Sequence, residues 1–131
     1  MKKTGILNRD IASVLSQLGH TDTIILADCG LPIPQQTLCI DLSIELGTPS
    51  LNDILQLIMQ HMVVEKITMA KEITFKNTKL HHQLTANYLN VETDYVSHKE
   101  LKEAIKDAKA VIRTGEATPF ANVILHAGVI F

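Results

Sequence analysis

The chain is short of cysteine, of net charge and of long apolar runs, and each shortage closes a class of function. Its two cysteines, Cys29 and Cys39, stand ten apart and match no zinc-ligand spacing. Set among apolar neighbours, they read as buried reduced thiols rather than a disulfide. A formal net charge of −2 supplies no electrostatic footprint for nucleic acid or for an anionic membrane. No segment approaches the roughly 18 apolar residues of a membrane span. Met1-Lys2-Lys3 has the look of a signal-peptide start, but Asn8-Arg9-Asp10 interrupts any apolar stretch behind it. The G-x-G-x-x-G fingerprint, the P-loop and the nucleophile elbow are all missing. The expectation is a soluble, cytoplasmic protein without nucleic-acid or membrane partners and without a metal.

What is present is ordinary globular composition, 46% hydrophobic and 20% charged over 131 residues. That length suits one domain, residues 1–131, burying roughly 68–70% of its unfolded surface. Asn8 caps a predicted helix whose apolar positions Ile11, Val14, Leu15 and Leu18 recur at helical spacing, with Gly19 as its stop. Ser50 with Asp53 and Ser97 with Glu100 read as capping boxes. The first opens a helix through Leu51, Ile54, Leu55, Ile58 and Met62; the second opens one through Leu101, Ala104, Ile105 and Ala108. Leu80, Leu84 and Tyr88 mark a further helix. In the Lys99–Lys109 stretch, charges of alternating sign read as a solvated face.

Strands are expected over 24–27, 38–43, 63–73, 91–96, 110–113 and 122–130. Pro32 and Pro34 exclude regular structure between the first two. Helices alternating with short apolar strands imply an α/β domain, its sheet covered by helices on both faces. Several connections are too short for crossovers, so the sheet should be mixed rather than wholly parallel. The apolar end, Val129-Ile130-Phe131, is expected to dock in the core or against another subunit.

Histidine and carboxylate are the residues left to carry chemistry. His20 follows the helix-stop glycine, where it reads equally as a proton-transfer group or as a cation favoured by the helix dipole. Asp28 ends an apolar strand, the place where open α/β sheets bind ligands. It reads as well as a turn-forming residue before Gly30. Along an extended path the two lie up to ~26 Å apart at roughly 3.3 Å per residue. They share a site only if residues 19–23 fold back or two subunits meet.

His98 sits in the first turn of the helix capped by Ser97, and Lys102 lies one turn on along the same face. Asn122, at the entry to the last strand after Thr118-Pro119-Phe120-Ala121, carries both a donor and an acceptor for a hydroxyl. His61, His81, His82 and His126 fit no ligand spacing and read as structural or surface residues.

Lys3-Thr4-Gly5-Ile6-Leu7-Asn8, Gly19-His20-Thr21-Asp22 and Asp28-Cys29-Gly30-Leu31-Pro32-Ile33-Pro34 resemble the ribose-pyranase/fucose-mutarotase family. The likeness continues through Glu65-Lys66, Arg113-Thr114-Gly115-Glu116 and Pro119-Phe120-Ala121-Asn122, and so spans the chain. The leucine–proline–isoleucine–proline loop favours the ribose branch. The resemblance implies a cofactor-free enzyme that interconverts pyranose and furanose forms of D-ribose and supplies the furanose to ribokinase. It also implies a homo-oligomer, a decamer of two stacked pentameric rings, with sites at subunit contacts. Carried over by position, it puts the catalytic histidine on His20 and sugar binding on Asp28, His98, Phe120, Ala121 and Asn122. Some relatives have tyrosine where Phe120 stands, so a phenol role does not transfer. In the expected mechanism His20 is the general acid at the ring oxygen, and Asp28 either orients the imidazole or holds sugar hydroxyls. The competing readings are a non-catalytic ribose-binding accessory of uptake and a mutarotase for fucose or another monosaccharide.

Overall fold

A computed structural model describes residues 1–131. Its elements, in chain order, are α1 (Arg9–Gln17), β1 (Thr23–Ala27), β2 (Cys39–Asp41), α2 (Leu51–Met59), β3 (Val64–Ala70), α3 (Ile73–Lys76), α4 (Thr78–Asn87), β4 (Glu92–Val96), α5 (His98–Ala104), β5 (Ala110–Arg113) and β6 (Val123–Ala127). A short 3-10 turn, Ile105–Asp107, extends α5. The strands form one six-stranded sheet in the order β2-β5-β1-β6-β3-β4. Only β6 runs antiparallel to its neighbours, so the sheet is mixed as expected.

The continuous apolar run of β1 has a simple cause: both of its faces are covered. Ile24 and Leu26 join one core with Ile11 and Val14 of α1, Leu51, Leu55 and Ile58 of α2, and Leu80 and Leu84 of α4. Ile25 and Ala27 point the other way, into a smaller core with Leu101 of α5 and Ile105. The second face is covered only in part, and along its open end Lys66 stands opposite Glu92 and Thr68 opposite Asp94.

Several boundaries move, each for a local reason. The strand expected over 63–73 stops at Ala70, because Thr74 Oγ1 donates to the Lys71 carbonyl at 2.7 Å and the chain turns into α3. Ile73 keeps the apolar rhythm but is buried from a helical turn. The strand expected over 38–43 shrinks to three residues, since Asp41 folds its carboxylate over the Ser43 amide at 2.9 Å. Asn122 precedes β6 rather than joining it. Ser97 and Glu100 form the full reciprocal box. At Ser50 only half exists: its Oγ accepts from the Asp53 amide, while the Leu51 amide donates to Glu116 Oε1, also at 3.1 Å.

One further expectation is corrected and another is narrowed to one of its two alternatives. Cys39 lies exposed on the edge strand rather than buried, although the partial burial of its thiol, with the Asp41 charge beside it, raises its pKa. The C-terminus does not dock in the core of its own chain, since Ile130 is 90% and Phe131 98% exposed. β6 ends at Ala127 and the chain leaves the sheet there.

Candidate active site

Because β6 alone is reversed, its start lies at the same sheet edge as the ends of β1, β4 and β5. The loops after β1 and β5, the N-terminus of α5 and the turn before β6 converge there. They enclose a cavity of about 300 Å³ lined by Asp28, Gly30, Pro32, His98, Glu116 and Phe120, among others. That volume is at the small end of ligand pockets and suits a monosaccharide-sized guest.

Asp28 is built into this wall by a two-way clamp. Its amide donates to Asn122 Oδ1 at 2.9 Å, and Asn122 Nδ2 donates to Asp28 Oδ2 at 2.9 Å. The other carboxylate oxygen takes the Gly30 amide at 2.9 Å. The turn-forming and site-forming readings of Asp28 therefore coexist. An ionised carboxylate has about four acceptor sites, so two remain for hydroxyls. Asn122 is fully buried and spends its amide on Asp28.

The neighbouring turn is tied down from several sides. Arg113 Nε and Nη2 both donate to the Cys29 carbonyl, at 3.1 and 2.6 Å, which fixes the loop after β1. Glu116 accepts the Leu51 amide on Oε1 and the Thr118 hydroxyl on Oε2, at 3.1 and 3.0 Å. Asn77 Nδ2 donates to Thr118 Oγ1 and to the Pro119 carbonyl, at 2.9 and 2.8 Å. Phe120 then takes a left-handed φ of 55°, a conformation that costs a bulky residue energy and marks functional turns. Its ring meets His98 edge-on, with centroids 5.0 Å apart. His98 donates its backbone amide to Glu72 at 3.0 Å, and its Nδ1 is buried without a partner. Ala121 packs its methyl into the main core, leaving only its backbone for a ligand. Lys102 does not line the cavity.

His20 is elsewhere. It precedes β1 while Asp28 follows it, so the strand's five residues hold them on the order of 15–20 Å apart at ~3.3 Å per residue. Residues 19–23 do not fold back toward Asp28. Within one chain, Asp28 is therefore not the carboxylate that orients His20. Glu65 is the one in reach, its Oε2 2.9 Å from His20 Nε2.

A cleft at the carboxyl edge of the sheet, a carboxylate clamped by a buried amide and a histidine at the far edge give a pattern that known proteins can be set against. The family model described as the RbsD / FucU transport protein family matches residues 1–130. The chain belongs to this family. D-ribose pyranase of Bacillus cytotoxicus is 55% identical over 131 residues, covering all of both chains. D-ribose pyranase of Bacillus cereus is 54% identical over the same length and coverage. Bacillus subtilis RbsD, solved in complex with D-ribose, superposes with a TM-score of 0.97 at 50% identity over the whole of both chains. The fucose mutarotase of Streptococcus pneumoniae, solved with L-fucose, shares the fold with a TM-score of 0.74 at 23% identity, over 95% of each chain.

In this RbsD/FucU chain the remaining histidines stay outside the cleft. His81 Nε2 lies 2.7 Å from the Tyr95 hydroxyl, and burial lowers the imidazole pKa while raising that of the phenol. His126 Nε2 lies 2.9 Å from Thr68 Oγ1. No group of three or more His, Cys, Asp or Glu converges as a metal site, and no helix is long and apolar enough to cross a membrane. Glu65, Arg113 and Glu116, which carry part of the family likeness, and Asn77, which does not, are residues to which the sequence assigned no role at the site. Each acts through a contact more than 40 positions away, which no local spacing can signal.

Proposed function

We propose that this chain is a D-ribose pyranase, an intramolecular isomerase that interconverts the pyranose and furanose forms of D-ribose. The observation that carries the reading is the full-length superposition on RbsD, a protein solved with D-ribose bound. A small cleft whose wall carries spare carboxylate acceptors fits a sugar as guest. Ring opening needs little beyond positioned proton transfer. The ring oxygen takes a proton from His20 as its bond to the anomeric carbon breaks. The anomeric hydroxyl, becoming the aldehyde carbonyl, releases its proton to solvent, and solvent reprotonates the imidazole. Closure through a different hydroxyl reverses these transfers.

A positioned acid typically contributes 10²–10⁴-fold, roughly 3–5 kcal/mol of barrier. Asp28 holds sugar hydroxyls, with Asn122 fixing its carboxylate, while His98 and the Phe120 turn close the cleft. His20 comes from a neighbouring copy in a ring-shaped homo-oligomer, a decamer of two stacked pentamers. Its product, the furanose, feeds ribokinase in the cytoplasm.

Saturation-transfer proton NMR on ribose at equilibrium tests the activity. Pyranose–furanose exchange should speed up with the protein and fall back to the buffer rate with His20→Ala, while that variant still binds ribose. Exchange no faster than in buffer with ribose bound would favour the accessory binder; faster exchange for fucose than for ribose would move the substrate.

A further inference from the structure

We propose that Glu65 is the positioning residue of His20, holding Nε2 as a proton donor and leaving Nδ1 as the nitrogen that meets the sugar. The inference deepens the reading above and rests on His20 being the proton-transfer group. An ionised carboxylate only accepts, so the 2.9 Å contact between Nε2 and Glu65 Oε2 places the proton on Nε2. That is the ring's one hydrogen bond within the chain, and Nδ1 is left free to take up and release the working proton. The neutral tautomer that remains after transfer is then already the one the carboxylate prefers, the same logic by which an orienting carboxylate serves a histidine base in hydrolases.

The contact is built rather than incidental. Val64 pairs with Ala127 and Lys66 with His126, so Glu65 is an extra residue that bulges out of the β3–β6 ladder. Bulges re-aim a side chain and recur beside active sites. Gly128 makes room for this one. A Cβ there would lie 3.0 Å from Val63 Cγ1 and 3.3 Å from Glu65 Cβ, tighter than ordinary packing.

The histidine side is equally constrained. The Gly19 amide donates to Asp22 Oδ2 at 2.8 Å and the Thr21 amide to the Ala127 carbonyl at 3.0 Å. Thr21 is held at φ 73°, an outlier for a β-branched residue. Stability does not account for this construction, since the pair is 53% and 44% exposed and such pairs contribute little. A strained turn and a bulge that converge on one half-exposed imidazole point to orientation.

Long-range nitrogen-15 NMR of the histidine rings in the intact protein, at about pH 8.5, above the ordinary imidazole range, reads the tautomer directly. His20 should be Nε2-protonated in the native protein and should average both tautomers in Glu65→Ala. In ribose exchange, Glu65→Ala should lower kcat roughly tenfold or more with KM nearly unchanged. Glu65→Gln, whose carbonyl oxygen still accepts from Nε2, should recover both the tautomer and most of the rate. An Nδ1-protonated His20 in the native protein, or an unchanged tautomer and kcat in Glu65→Ala, would overturn the proposal. Failure of the underlying reading looks different: His20→Ala would then leave exchange at the native rate, whatever the tautomer.

Discussion

At the scale of single residues, the polar side chains of this fold divide by what they face. Asn122 was legible as a candidate for the site, but the partner it takes in the fold was not. Its amide lies 94 positions from the Asp28 it clamps, and only the sheet brings them together. His126 shows a different effect of burial. Its pKa is lowered first by desolvation and then by the Lys66 charge, against opposing pulls from Glu65, Asp94 and Glu92. The folded state thus prefers the neutral ring. As pH falls below the ordinary 6.5, the unfolded chain takes up the proton first, and stability drops until the folded pKa is passed. His126→Gln should therefore flatten the stability-against-pH curve just below 6.5 in denaturant titrations. An unchanged slope would assign the loss to other groups.

Elements set where those residues stand. Capping serines, apolar spacing and prolines located most of the helices and strands correctly, because those signals act over a few neighbouring positions. The boundaries drifted where side chains bond back to the main chain, as Asp41 does to Ser43 and Thr74 to Lys71. The loop after β5 shows how an element end builds a site. Gly115 donates to the Pro49 carbonyl at 2.8 Å and accepts from the Gly47 amide at 2.6 Å, and a Cβ on it would overlap the Thr48 backbone. Backbone cannot yield as a flexible side chain does. Gly115→Ala should destabilise by about 1–3 kcal/mol and slow ribose exchange, because Glu116 would lose its hold on Leu51 and Thr118. A native unfolding midpoint in calorimetry would mean the loop moves aside freely.

At the scale of the whole molecule, the opposite placement of His20 and Asp28 about β1 is the central fact. A single chain presents a sugar-sized cleft without its proposed acid, and an acid without a cleft. If neighbouring copies complete each other, two inactive variants should rescue one another. His20→Ala and Asp28→Ala, mixed and reassembled, should regain activity at about a quarter of the sites, by random pairing in a homo-oligomer. Recovery absent despite verified mixing would place both residues in one chain's site. The exposed Val129-Ile130-Phe131 end is consistent with contacts beyond one chain.

The sequence by itself determined the order of the six strands and the four longer helices, though not α3, together with the mixed sheet, the apolar faces and the identity of the polar residues at strand and helix ends. Periodicity, caps and turn chemistry are local, and they survive in one dimension. Tertiary structure alone decided which carboxylate meets which nitrogen. Asp28 goes to Asn122 and Glu65 to His20, because those pairings depend on reversing β6 and on one bulged residue. A bulge shifts every later side chain by one position, and nothing in the spacing of Glu65 and Lys66 announces it.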